Sequence, residues 1–578
     1  MNNSLYFLLL IIEIILINTK TATPDNLQSI ISQSSPGDII ELQAGTYNTI
    51  PYKISISGTQ DTPITIKPQS EATVKFIGAK EACIFELNQI SNINFEGPME
   101  LSNSKCGIKV INSNNIKIMG LDIRDVDQEA IVVSGENIEI TNNIISNCVL
   151  ESQNLRKDLT YGIYQCTSTL AKTQNNEFSK NIIFYNNSIE NAYGEGIKLS
   201  YCDNCSVISN NITNALAMNI YIYSSKNLLI KGNILKVINQ DYNSKFGKAV
   251  GIGLSTDSTY DIEEVEIQNN IIIGCRIGIY YFITGIGSYK FVKIYHNTIW
   301  MIDITPIWFT EPINPSSKSE LFNNFIYHKK QYQLSPRSVW DIGYNMYYNT
   351  EKIPSQFDDT ESNKGSSQAI KQMNLSEIFN NNNGDCDYSN ANIKINCFRP
   401  NSNNKGNGNI YHKGKKIKEE EKDLEGCIRD TNPSIGAFEF PDGCREEPEP
   451  PETDTDAPDT DIPEVVYDVK FKITYCTDPP KFMKLVGSLC NWEKNNCIKM
   501  IHEGNCIWTY TLKSGTNYIF LYKFVEYKGY DDVRWESKDR EFNGGKLAEL
   551  AEKSSTGSYN DCIYEKNGNL ITYTCSWL

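Results

Sequence analysis

The sequence predicts an all-β chain: a parallel β-helix solenoid, an extended acidic linker and a small separate β-domain. Three observations predict it. A pair of alternating apolar residues followed by Asn recurs at Asn143, Asn187, Asn211, Asn233, Asn270, Asn297 and Asn324, at intervals of 44, 24, 22, 37, 27 and 27 residues. A second short strand, usually opening Gly-Ile, is interleaved with it: GIKV at 107, AIVV at 130, GIYQ at 162, GIKL at 196, NIYI at 219, GIGL at 251, GIYY at 278 and PIWF at 306. Two or three strands per turn of this length, with no helical period, describe a coil of stacked rungs. Residues 446–464 then carry nine acids, five prolines and no base, so they cannot bury apolar surface and read as a linker.

Each element follows from local chemistry. Ile, Val and Leu columns fill the coil, because alternate side chains of every strand point inward. The recurrent Asn stack in a tight turn, where their amides satisfy backbone groups, so they are structural. An open solenoid end needs a cap, and residues 25–36 read as a short amphipathic helix, followed by a strand and turn in GDIIELQAGTY. Four domains result: a signal peptide at 1–22, the coil at 23–442, the linker at 443–465 and the β-domain at 466–578. The apolar run 5–18 is too short to span a membrane comfortably, and small residues follow it.

Composition agrees with a secreted, extracellular protein. The chain has 578 residues, a net charge of −16 and 17 cysteines. Six cysteines fall in the last domain (476, 490, 497, 506, 562 and 575), an even set that suits disulfides. Cys386 with Cys397 and Cys427 with Cys444 are candidate local staples. The CxxC at Cys202–Cys205 lacks the setting of a redox motif. The odd total leaves at least one thiol over. Sequons stand at Asn186, Asn204, Asn211 and Asn374. More than half the net charge sits in the linker, and nothing indicates nucleic acid or an integral membrane segment as a partner.

Near the C-terminus, Trp492, Trp508 and Trp535 accompany Lys523 among short strands. Indole faces at loop edges are costly in water and suit the C–H face of a sugar ring, with Lys and Asn or Asp bonding its hydroxyls. The order VGS, Asn491-Trp492, Tyr522-Lys523 and Trp535-Glu536 resembles the starch-binding domain, the family-20 carbohydrate-binding module, a β-sandwich. The resemblance implies binding of starch, glycogen or a related α-glucan by Trp492, Lys523 and Trp535, with Glu536 and Asp539 at the same site. Asp539 stands where the family has Asn before Arg540, and Cys490 where it usually has Gly. Trp508 reads as core.

The N-terminal cap, DTPITIKPQSEATVKFIG and the terminal PSIGAFEF resemble right-handed parallel β-helix, pectin-lyase-like proteins. That resemblance covers about residues 25–440 and speaks to fold before activity. The residue after each Ile points outward, giving a column of Lys109, Val132, Tyr164, Lys198, Tyr221, Gly253, Tyr280 and Trp308 that suits an extended polysaccharide. A lyase of this fold needs a base and a means of neutralising a uronate, often calcium. Lys198 with Glu195 is the candidate catalytic pair, and Asp122, Asp125, Asp127 and Glu129 are candidate calcium ligands. The functions left open are a glycan-binding protein with a binding or scaffolding coil, a polysaccharide lyase or other carbohydrate-active enzyme, and a structural or adhesive extracellular protein.

Overall fold

The computed structural model describes most of residues 18–439, apart from 152–164, 239–248, 311–317, 351–366, 401–409 and shorter stretches, together with strands between 468 and 576. The chain divides into two compact units, 1–450 and 451–578.

The first unit is a parallel β-helix with three faces. On the front face Gln165–Thr169, Glu195–Ser200, Met218–Tyr223, Val250–Thr256, Ile277–Ile283 and Thr305–Phe309 pair in parallel, rung upon rung. The second face stacks Ser179–Tyr185, Cys202–Ile208, Lys226–Lys231, Ile262–Gln268 and Tyr289–Tyr295. The third stacks Ser188–Ala192, Asn211–Ala215, Ile234–Lys236, Ile271–Ile273 and Thr298–Trp300. Inward residues form apolar columns. Ile197, Ile220, Ile252, Ile279 and Ile307 lie in register and are fully buried. Each contributes about 1.5–3 kcal/mol by leaving water.

Two of the corners are polar and carry side-chain ladders. Between the second and third faces runs an amide ladder of Asn143, Asn187, Asn210, Asn233, Asn270, Asn297, Asn324 and Asn345, all buried. Each one before Asn345 donates from its backbone N–H and Nδ2 to the Oδ1 of the next Asn, as Asn187 does to Asn210 at 2.9 Å from both. Its Nδ2 also reaches a backbone carbonyl of the preceding rung, Phe184 in the case of Asn210, at 3.0 Å. The ladder residue is therefore Asn210 and not Asn211, the exposed second member of the doublet. A second, hydroxyl ladder turns the front face into the second: Ser113, Ser134, Ser179, Ser225 and Ser319 each accept a backbone N–H from the rung before. Serine carries too little periodic signal of its own for the sequence to disclose this row.

The N-terminal cap has the expected helix, Leu27–Ser32, with Leu27 and Ile31 buried. Thr19–Ala22 form the first strand, pairing with Ile39–Leu42, and Ala22 is fully buried. The folded body thus begins before residue 23, four residues into the segment that the sequence reads as a removable peptide; residues 1–17 lie outside the described residues. At the far end residues 433–439 form an irregular strap and no strand. Arg429 and Glu439, both buried, hold it, with Arg429 Nη1 3.3 Å from the carboxylate. Side-chain bonding, rather than a sheet ladder, fixes this segment.

Four disulfides join Cys83–Cys106, Cys148–Cys166, Cys202–Cys205 and Cys386–Cys397. Cys427 is also disulfide-bonded. Cys275 is a buried free thiol, held protonated by burial.

The second unit consists of two sheets. One orders Ile501–Gly504, Ile507–Leu512, Asp468–Thr474, Leu570–Ser576, Cys562–Asn567 and Thr556–Tyr559. The other places Phe482–Gly487 and Val533–Trp535 on either side of Ile519–Tyr527, with Ile498–Lys499 outside the former. Cys562 and Cys575 face each other across antiparallel strands.

Candidate functional site

The outward column of the front face runs in register through Lys53, Glu86, Lys109, Val132, Ser168, Lys198, Tyr221, Gly253, Tyr280 and Trp308. Ser168 occupies the rung assigned to Tyr164 from sequence, and Tyr164 lies outside the described residues. The strand begins at Gln165, after Gly162-Ile163, so counting from that pair misplaces the outward position by four residues. Glycine at 196 is required by packing: a Cβ would come within 2.6 Å of the Asn219 carbonyl oxygen one rung on. Gly253 leaves room for the Met218 sulfur, which fills the gap between Tyr221 and Tyr280.

Along its length this face changes character. The later rungs carry an external apolar cluster of Met218, Tyr221, Val250 and Ile277, with Tyr223, Tyr280, Phe282 and Trp308 packed on it. Tyr221 is only 9% exposed; its ring stacks on Phe282, and its hydroxyl meets Ser255 Oγ at 2.9 Å. Tyr280 stacks on Phe282 at 5.0 Å and leans on Trp308 at 5.3 Å. These rings present edges and partial faces, with much of their area spent on one another. Lys198 Nζ lies 5.1 Å and 5.5 Å from the ring centres of Tyr221 and Tyr223, a cation–π arrangement at the junction of the charged and aromatic rungs.

The earlier rungs form a cleft of about 250 Å³ lined by Glu81, Glu86, Lys105, Lys109, Gln128 and Glu129. Burial pushes the Glu129 carboxyl above its ordinary range, against its own backbone hydrogen bond and the attraction of Lys109, Lys105 and Lys198. Lys198 is therefore near enough to act electrostatically on Glu129. Glu195 sits in register with Gln165 at the start of its strand, on the same edge of this face.

The four acids expected to share a calcium ion do not converge. Asp122 pairs with Arg124, which also reaches Glu100 at 3.3 Å, on the third face. Asp125 accepts Asn147 Nδ2 at 3.0 Å, and Asp127 lies 3.8 Å from Lys80. Glu129 belongs to the front face. The chain turns a corner between Asp122 and Glu129, so neighbours in sequence look out in different directions. Among the described residues Asp423, Glu425 and Cys427 do cluster. However, Asp423 accepts backbone N–H groups of Glu425, Cys427 and Glu439, Arg399 takes Glu425, and Cys427 is in a disulfide. That cluster holds a turn.

In the second unit Trp535 pairs with Val525, and Lys523 stands two residues before Val525 on the same strand. Strand alternation gives Lys523 and Trp535 positions of the same parity on adjacent strands, hence on one face of the sheet. Trp492, Glu536 and Asp539 lie outside the described residues.

Comparison with known proteins agrees with both units. Residues 466–551 match the family model of the starch binding domain. Residues 37–262 match that of the right handed beta helix region. The chain joins a right-handed β-helix to a domain that matches the starch-binding family model. Among solved structures, the helix is similar to an alginate lyase from Paenibacillus sp. str. FPU-7, at 16% identity over 50% of this chain and 98% of that one, TM-score 0.38. It is similar to the pectate lyase Pel9A, at 14% identity over 74% and 98%, TM-score 0.39. It is also similar to PfbA, a surface adhesin of Streptococcus pneumoniae, at 13% identity over 56% and 80%, TM-score 0.40. Likeness at this level says nothing of which chemistry the chain performs. No curated protein matches the sequence.

Proposed function

We propose that this protein is an extracellular carbohydrate-binding protein that holds starch or a related α-glucan, glycogen included, through its C-terminal domain and carries a polysaccharide-binding or polysaccharide-processing β-helix in the same chain. The starch-binding-domain match over 466–551, with Lys523 and Trp535 on one sheet face, is the observation that carries this reading. The disulfides support a location outside the cytosol, and no helix among the described residues is long and apolar enough to cross a membrane. Trp492 and Trp535 would flank the glucan, and Lys523, Glu536 and Asp539 would bond its hydroxyls. Trp535→Ala should weaken binding to soluble amylose by about 1–3 kcal/mol, the worth of one stacking platform. Calorimetric titration with maltoheptaose reads this, and an unchanged affinity would remove Trp535 from the site.

A second reading, a polysaccharide lyase, is favoured by the Glu129 cleft. Abstraction of the proton α to a uronate carboxyl needs an acceptor, which Glu129 supplies, and positive charge on the carboxylate, which Lys105, Lys109 and Lys198 supply. Elimination then breaks the glycosidic C–O bond and leaves an unsaturated sugar, and the departing oxygen takes up the proton from Glu129 or from water. Calcium has no converged ligand set among the four acids, so this reading expects cleavage to survive a chelator. Glu129→Gln should abolish it. The same variant has an activity-independent signature. A carboxyl whose folded pKa is raised favours the native state below its unfolded pKa, about 4.3, and loses that contribution as pH rises through the folded value. Glu129→Gln should thus melt higher than wild type at pH 7 and lose the advantage near pH 4. Equal melting at both values would show that the carboxyl is not strained by burial.

A further inference from the structure

A groove of about 660 Å³ lies on the second face of the coil, away from the front column. Its volume falls in the range of small-molecule sites. It crosses the rungs of Ser179–Tyr185, Cys202–Ile208, Lys226–Lys231, Ile262–Gln268 and Tyr289–Tyr295. Its floor is set by a row of residues in the left-handed conformation, one per rung: Asn181, Asn204, Asn227, Glu264 and Phe291, with φ of 54, 56, 55, 52 and 52°.

Up to Asn204 this row is a second amide ladder, exposed to solvent. Asn115 bonds Asn92, Asn137 bonds Asn115, Asn181 bonds Asn137 and Asn204 bonds Asn181, at 2.7–3.1 Å. Asn tolerates positive φ, and its amide rewards the geometry. At the next rungs the rule is broken. Asn227 turns aside to Asp203, Glu264 replaces the amide, and Phe291 follows, 43% exposed as a residue. A bulky aromatic at positive φ is strained, and an exposed one is also poorly hydrated. Ile183, 38% exposed, and Leu229 extend the apolar floor from the other end. Glu266 is already engaged by Lys418 at 2.7 Å and Lys293 at 3.8 Å. With Glu264 the two acids and these two lysines balance, so the groove offers no net positive charge to an anionic polymer.

We infer that this groove is a second carbohydrate subsite that takes a neutral glycan, its ring stacked on Phe291 and its hydroxyls bonded by Asn181, Asn204 and Glu264. An apolar platform rimmed by amides and a carboxylate is the chemistry a pyranose recognises. Rungs about 4.8 Å apart repeat those groups at close to the length of one sugar ring. Neutrality selects glucan over uronate chains. The inference rests on the reading of the protein as a glycan binder, yet it concerns a different unit of the chain.

The decisive variant is Phe291→Asn, which restores the ladder residue. It should raise the melting temperature by relieving strain and lower groove affinity for sugar by about 10-fold or more. The test uses the full chain carrying Trp535→Ala, so that the C-terminal site is weakened, titrated with maltoheptaose and, separately, with an oligogalacturonate. Amide hydrogen exchange of 179–185, 202–208, 226–231 and 289–295 is followed. Protection by maltoheptaose that Phe291→Asn removes supports the assignment. No protection there by maltoheptaose, preference for oligogalacturonate, or equal affinity in Phe291→Asn would overturn it. So would protection that follows protein concentration instead of sugar, which identifies a second copy of the chain. A glycan found covalently attached at the Asn204 sequon would likewise overturn it, because it would fill the groove. The C-terminal proposal fails separately, on titration of the Trp535→Ala variant against wild type.

Discussion

Arg429→Met should destabilise the β-helix by about 3–5 kcal/mol, the cost of leaving one charge of a buried pair without its partner. Arg429 is 1% exposed and Glu439 2%. The guanidinium donates to Asn269 Oδ1 at 2.9 Å and to the carbonyls of Gly436 and Ala437 at 3.0 and 3.1 Å. It also reaches the Ser434 carbonyl and Glu439, both at 3.3 Å. Glu439 in turn accepts Ser434 N–H at 2.8 Å and its hydroxyl at 2.6 Å. Methionine matches the stem and offers none of these donors. Equilibrium urea denaturation measures the loss, and adding Glu439→Gln should recover part of it by removing the stranded charge. A change within about 0.5 kcal/mol, typical of surface positions, would mean that water replaces the guanidinium.

Asn210→Ala is expected to cost about 3 kcal/mol or more, and Asn211→Ala almost nothing. Removing the buried amide strands the Asn187 donors and the Phe184 carbonyl, while Asn233 Oδ1 keeps the Asn210 backbone N–H and loses its second donor, and each unsatisfied group costs about 1–3 kcal/mol. Part of that sum is returned by relaxation, hence the lower figure. Asn211 is exposed and contributes its backbone to the sheet without entering the ladder. Thermal melts of the two single variants separate the positions. Equal effects would contradict the register.

What the sequence disclosed and what it hid divide along translational repetition. A coil writes every rung in the same letters, so the Ile columns, the Asn ladder and most of the outward row from Lys109 to Trp308 could be read directly. Asn210 was missed for Asn211 because a doublet offers two candidates at nearly equal spacing; the even interval of 23 from Asn187 through Asn210 to Asn233 was the available clue. The acids from Asp122 to Glu129 misled for the opposite reason: density in sequence means little where the chain rounds a corner. Lys198 looked like the partner of Glu195, while the rings of Tyr221 and Tyr223, one rung on, lie under its ammonium group. The Arg429–Glu439 strap repeats nowhere, so no period could announce it. The row that leads to Phe291 was periodic all along, as Asn92, Asn115, Asn137, Asn181, Asn204 and Asn227, but strand alternation alone does not show that these positions have positive φ.

The buried ladder also gives the coil an electrical direction. Every residue of the ladder gives its backbone N–H forward, and each before Asn345 gives one Nδ2 hydrogen forward too, from Asn143, whose Oδ1 receives Leu121 N–H, to Asn345, which gives its N–H to Ser367 Oγ. The side-chain dipoles therefore add head to tail along the axis instead of cancelling, and in a dry interior each polarises its neighbours. An interruption in the middle breaks this alignment into two shorter arrays, while one at Asn143 or Asn345 only trims its length. Sensitivity to substitution should accordingly rise toward the centre of the row, a behaviour closer to that of a ferroelectric chain than of independent bonds.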